Sequence, residues 1–96
     1  MRFEWDPGKG RTNVKKHGVG FEEAVTVFDD PFALVAPDPK HSKLEEREWI
    51  IGESDRGILV VVYTKRDRGD ICRIISARRA SRKERKNYEE YKAVSF

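Results

Sequence analysis

Hydrophobic and polar positions alternate along this chain in distinct ways, and each pattern predicts an element. "RFEW" (2–5) sets Phe3 and Trp5 on one side, as in a short strand. Asp6 can then cap a helix whose first position, Pro7, needs no amide partner. That helix runs through "GKGRTNVKKH", is weakened by Gly8 and Gly10, and stops at Gly18, the residue type best suited to a left-handed cap. In "FEEAVTVF", Phe21, Ala24, Val25 and Phe28 recur at helical spacing, with Glu22 and Glu23 in the first turn where the helix dipole favours anions. "DDP" (29–31) ends this second helix, because a residue before proline resists helical angles.

Strand patterns follow. "FALVA" (32–36) is short and closed by "PDP", and "HSKLEER" (41–47) is polar, with Ser42 and Glu45 at the spacing of a capping box. "EWIIG" (48–52) and "GILVVVYT" (57–64) are rich in β-formers and joined by "ESDRG", a hairpin-length connection. "RDRGD" (66–70) turns the chain into a last strand, "ICRIISA" (71–77). Ser81 and Glu84 form a capping box opening a final helix, whose Arg85, Tyr88, Tyr91 and Lys92 share a stripe that leans its tyrosines on the sheet. The order is β-α-α-β-β-β-β-α. It predicts a single α+β domain over residues 1–96, with helices on one face of a mostly antiparallel sheet that contains a three-strand meander.

Composition narrows the class. Ninety-six residues with 39% charged side chains suit one small globular domain. The lone cysteine, Cys72, cannot pair internally. No apolar run approaches the ~20 residues of a membrane span, and "MRFEWDPGKG" lacks the apolar core of a signal peptide. These features predict a cytoplasmic protein. The net charge of +3 conceals a division along the chain. Residues 64–86 hold ten basic and three acidic side chains, whereas residues 20–55 hold three basic and ten acidic. A chain so divided can turn one positive face to a polyanion, unless the charges interleave in space.

Candidate chemistry is correspondingly limited. Two histidines and one cysteine without ligand spacing disfavour a zinc site. Glycine-rich phosphate loops, nucleophile elbows and calcium-loop spacing are absent from the sequence, so neither metal nor cofactor is expected. What remains is arginine: Arg66 closes one strand and Arg78 the next, and the two share a face only if the pleat phases agree. Arg73 and Arg78 differ in parity, so they point opposite ways unless a bulge intervenes. Such arginines can fork onto phosphate oxygens, or pair with Glu45, Glu46 and Glu48. His17 ends a basic helix beside a glycine, a candidate acid or base, although a lone histidine there is more often a simple helix-terminal residue. His41, in a polar loop, is a weaker candidate.

Several stretches together resemble the BrnT family of bacterial type II toxins: "FEWDPGK", "NVKKHGVGFEEAVTVFDDP", "HSKLEER", "VVYTKR" and "RIISARRASRKERKNYE", in the family's order. The resemblance implies a RelE-like fold and a ribonuclease that blocks translation. It also implies a BrnA-like antitoxin that carries a ribbon-helix-helix DNA-binding part, so that DNA is met only through the complex. By match, the family's functional positions fall among His17, Glu46, Arg47, Arg66 and Arg78. A metal-free mechanism then uses the RNA 2′-hydroxyl as nucleophile, His17 as acid or base, and Arg66 and Arg78 on the phosphate. Lys65, Arg73 and Arg79 would steer RNA. The alternative is a non-catalytic module whose basic surface binds nucleic acid or antitoxin.

Overall fold

The computed structural model describes residues 1–41 and 45–95. Ser42, one half of the expected capping pair with Glu45, lies outside the described residues. The elements are β1 (Arg2–Glu4), α1 (Pro7–His17), α2 (Phe21–Thr26), β2 (Leu34–Pro37), β3 (Glu48–Ser54), β4 (Gly57–Arg66), β5 (Ile71–Arg79) and α3 (Arg82–Val94), in the expected order. The five strands form one sheet in the order β1-β5-β4-β3-β2. The β3-β4-β5 meander and the β2 edge are antiparallel, while β1 lies parallel to β5. Among the described residues, no helix is long and apolar enough to cross a membrane.

Local chemistry sets the helix ends. The Asp6 carboxylate accepts from the Gly8 amide at 2.8 Å, and Pro7 occupies the first position. Gly18 closes α1 at φ 70°, a left-handed conformation in which any Cβ would be strained. Ser81 and Glu84 cap each other's amides at the start of α3. The second helix departs from its expected stripe: Phe21, Ala24 and Val27 are the buried residues, while Val25 and Phe28 are only half-buried. The cause is a tightening to a 3₁₀ turn over Val27–Asp29, where side chains repeat every three residues.

One expectation is corrected. The helices cover both faces of the sheet. Ile50, Leu59, Val61, Tyr63, Ile74 and Ala77 pack with Phe21, Ala24 and Val27 of the N-terminal helical segment. On the reverse face, Ile51 and Val60 pack against Tyr88 of α3, with Phe32, Leu34, Trp49 and Ile58 around them. The apolar runs of β3 and β4 already carry the reason: they are nearly continuous, as in strands buried on both sides. Tyr88 is 1% exposed, whereas Tyr91 points outward at 43%. Cys72 is fully buried, and burial pushes its thiol up to about 11, so it is an inert packing residue.

The seating of α1 positions everything that follows. Since β1 pairs only with Ile71–Arg73, no strand among the described residues lines the outer edge of β5 beyond that point. There α1 takes the strand's place through the buried Asn13. Its Nδ2 donates to the Ala77 carbonyl at 2.8 Å and to the Val19 carbonyl at 2.9 Å, and its Oδ1 accepts from the Ala77 amide at 3.1 Å. A single side-chain amide thus satisfies both edge groups of one residue, as a neighbouring strand would.

Candidate functional site

The α3 helix covers only part of the reverse sheet face. Beside it, a groove of about 450 Å³ is lined by His17, Asp38, Trp49, Val60, Val62, Ser76, Arg78 and Glu84. Its composition follows from register. Trp49 pairs with Val62, Val62 with Ser76, and Val60 with Arg78, so all these side chains share one face. The imidazole of His17 joins them because Asn13 holds α1 against β5, one turn before the helix ends. Two residues 61 positions apart in sequence, His17 and Arg78, therefore line the same groove.

Arg78 does not stand alone. Its two terminal nitrogens donate to the Glu84 carboxylate at 2.7 and 2.9 Å, a parallel fork. The same carboxylate accepts from the Ser81 amide at 2.8 Å. Hydrogen bonding to Arg78 holds the Glu84 carboxyl down to about 2, and Glu84 in turn raises the guanidinium above its ordinary range. Both groups remain partly exposed, at 44% and 34% of the side chain. Solvent screens a pair this open, so a phosphate can compete for the guanidinium.

The other sequence-predicted residues lie elsewhere. In β4 and β5, Val62 pairs with Ser76 but Tyr63 pairs with Ile74, leaving Ile75 as an extra residue. This bulge reverses the parity and brings Arg73, opposite Thr64, to the same face as Arg78. Arg66 shares that face as well. It sits six residues along β4 from Arg78's partner Val60, a span of about 20 Å. Arg66 and Arg73 converge instead on Glu4, at 3.4 and 2.7 Å, and the Arg73 hydrogen bond leads in lowering that carboxyl. Arg66 is thus not brought to the groove.

Lys65 and Arg79 point to the opposite face. Lys65 pairs with Glu48 at 3.6 Å, and Arg79 donates to the Arg56 carbonyl at 2.7 Å. The Arg47 side chain meets Glu45 at 3.5 Å, and its carbonyl accepts from the Asp38 amide at 2.9 Å, tying its loop to a wall of the groove. The Glu46 carbonyl accepts from Thr64. Arg66, Arg73 and Arg78, expected on phosphate or on Glu45, Glu46 and Glu48, use Glu4 and Glu84 instead, while Glu45 and Glu48 meet Arg47 and Lys65.

Trp49, Ser76 and Glu84 were not among the sequence candidates. Glu84 carried a signal, the capping box, that concealed its second contact. Trp49 and Ser76 carried none beyond strand propensity, because only register places them beside His17.

These observations define a class first: a small basic α+β domain with one sheet face partly open and edged by an imidazole, an indole and a guanidinium. The chain belongs to the BrnT family, since the family described as the ribonuclease toxin, BrnT, of type II toxin-antitoxin systems matches residues 5–84. A toxin of this type has a cognate antitoxin as its partner. Comparison with curated proteins finds no match.

Proposed function

We propose that the groove beside α3 is where this toxin cuts RNA, as a metal-independent endoribonuclease that inhibits translation. What supports this reading most is the convergence of His17, Arg78 and Trp49 on one depression. The 2′-hydroxyl of a bound nucleotide attacks its own 3′-phosphorus while its proton passes to a base. The bond to the 5′-oxygen breaks, that oxygen takes a proton, and a 2′,3′-cyclic phosphate and a 5′-hydroxyl remain. His17 serves as the acid or base in this transfer. Arg78 meets the charge that gathers on the phosphate, after exchanging Glu84 for a phosphate oxygen. The indole of Trp49 offers a face on which a splayed base stacks. Glu84 is a positioning residue that holds Arg78 until substrate arrives. Arg66, Arg73 and Arg47 then belong to the surrounding electrostatic surface and not to the reacting atoms. A BrnA-like antitoxin with a ribbon-helix-helix part neutralises the toxin, and through it the complex meets DNA.

The test is a cleavage reaction on defined RNA, with and without ribosomes, with the product ends identified. His17→Ala and Arg78→Ala each abolish cutting and relieve growth arrest, and both variants stay folded. Cutting that stops in EDTA and returns with magnesium refutes the metal-free mechanism. RNA binding without any product ends refutes catalysis and leaves a binding module.

A further inference from the structure

The groove does not end at His17. A second depression, of about 470 Å³, lies between α1 and the bulged part of β5, and its lining includes Lys9, Thr12, Lys16 and Ile75. His17 and Ser76 line both depressions, so they form the saddle between them. Lys9, Thr12, Lys16 and His17 follow helical spacing along one flank of α1. Lys9 and Lys16 are seven residues apart, a rise of about 10 Å. One carboxylate, Asp6, lies at the far end, and its Oδ1 accepts from the Gly8 amide.

The state of the cations separates this flank from the arginines on the groove's own sheet face, Arg66, Arg73 and Arg78. Arg47, Arg56, Lys65, Arg66, Arg73, Arg78, Arg85 and Lys92 all have carboxylate partners within the chain. Lys9 and Lys16 are exposed and, among the described residues, make no ion pair; Arg11, Lys15, Arg82, Lys83 and Lys86 share that state but line neither depression. A paired cation must break a contact to meet a phosphate, whereas an unpaired lysine only exchanges its counterions.

We infer that the α1 flank, through Lys9, Thr12 and Lys16, is a subsite for the single-stranded RNA that continues from the scissile nucleotide past His17. This rests on the cleavage reading, because the occupant is the same strand that fills the first groove. The lysines hold backbone phosphates without reading sequence, and the Thr12 hydroxyl adds a donor to phosphate or sugar. The strand's path is therefore along the helix that occupies the β5 edge, and not across the arginines bound to Glu4.

The experiment compares the wild-type toxin with Lys9→Ala/Lys16→Ala on a long single-stranded RNA and on a short one that reaches only the first groove. The double variant flattens the plot of log affinity against log salt by about 1.4, since each single-strand phosphate contact contributes about 0.7. Its KM for long RNA rises while kcat holds, the short RNA is cut as before, and Lys9→Arg/Lys16→Arg restores the slope. An unchanged salt slope in the double variant, with wild-type cutting intact and His17→Ala inactive, overturns the subsite and leaves the cleavage site standing. Absence of RNA binding and cutting by the wild type overturns both. Loss of antitoxin affinity with RNA binding unchanged assigns the lysines to the protein partner and also overturns the subsite.

Discussion

Replacing Asn13 with alanine removes the amide that stands in for a strand on the edge of β5. The Ala77 amide, the Ala77 carbonyl and the Val19 carbonyl each lose a partner in a buried setting. At about 1 kcal/mol net for each hydrogen bond, the loss is about 3 kcal/mol. That is a large part of the ~5–15 kcal/mol that holds a small domain folded. A domain of this size changes its melting temperature by roughly 4–8 °C per kcal/mol, so the midpoint falls by roughly 12–24 °C. Asn13→Asp keeps the acceptor for the Ala77 amide but turns a carboxylate toward two carbonyls. Its folded-state pKa is raised, so its stability falls as pH rises past the ordinary aspartate range near ~4. Thermal and urea unfolding of both variants measure this. A midpoint within ~4 °C of wild type for Asn13→Ala refutes the claim that this amide anchors α1 to the sheet.

Three further outcomes follow from contacts within the fold and groove. Gly52→Ala destabilises by about 1–3 kcal/mol, because a Cβ there falls 3.0 Å from Val27 Cγ1 and 3.1 Å from both Ala33 Cβ and Asp30 Oδ2; urea unfolding reads it. The Arg78–Glu84 pair depresses a carboxyl pKa, so its contribution is present above the ordinary value of 4.5 and is lost as pH falls toward about 2. The stability difference between wild type and Glu84→Gln accordingly shrinks through that window, and a difference that stays constant there contradicts the assignment. Trp49→Ala weakens RNA binding by about 1–3 kcal/mol whereas Trp49→Phe retains most of it, as measured by titration with an uncleavable RNA; equal affinity for all three proteins removes the stacking role.

The caps were legible because they are local chemistry. Asp6 with Pro7, Gly18, and Ser81 with Glu84 each act within a few residues, and each stands where its pattern indicated. The meander was legible from short connections between β-rich runs. The side taken by α3 was harder to read. Its apolar anchor is Tyr88, and a lone buried tyrosine does not say which sheet face receives it. The two-sided burial of β3 and β4 was written in Ile50–Ile51 and Leu59–Val60–Val61, all buried, where a one-sided strand alternates.

The candidate site depended on facts that no short stretch contains. Parity alone sent Arg73 and Arg78 to opposite faces, and one extra residue, Ile75, reverses that conclusion. The meeting of His17 with Arg78 needs Asn13 to reach Ala77 across 64 positions of sequence. Charge was similarly misleading when counted by segment. The ten basic residues of 64–86 suggested that the strongest polyanion surface lies there. Five of those ten, Lys65, Arg66, Arg73, Arg78 and Arg85, have carboxylate partners, while Lys9 and Lys16 have no ion pair among the described residues and line the depression beside the groove. Because a contact already made must be broken before a phosphate is met, pairing state decides more than local net charge. The helix that replaces a strand at the β5 edge thus both sets His17 in the groove and places two lysines without ion pairs on the depression that continues it.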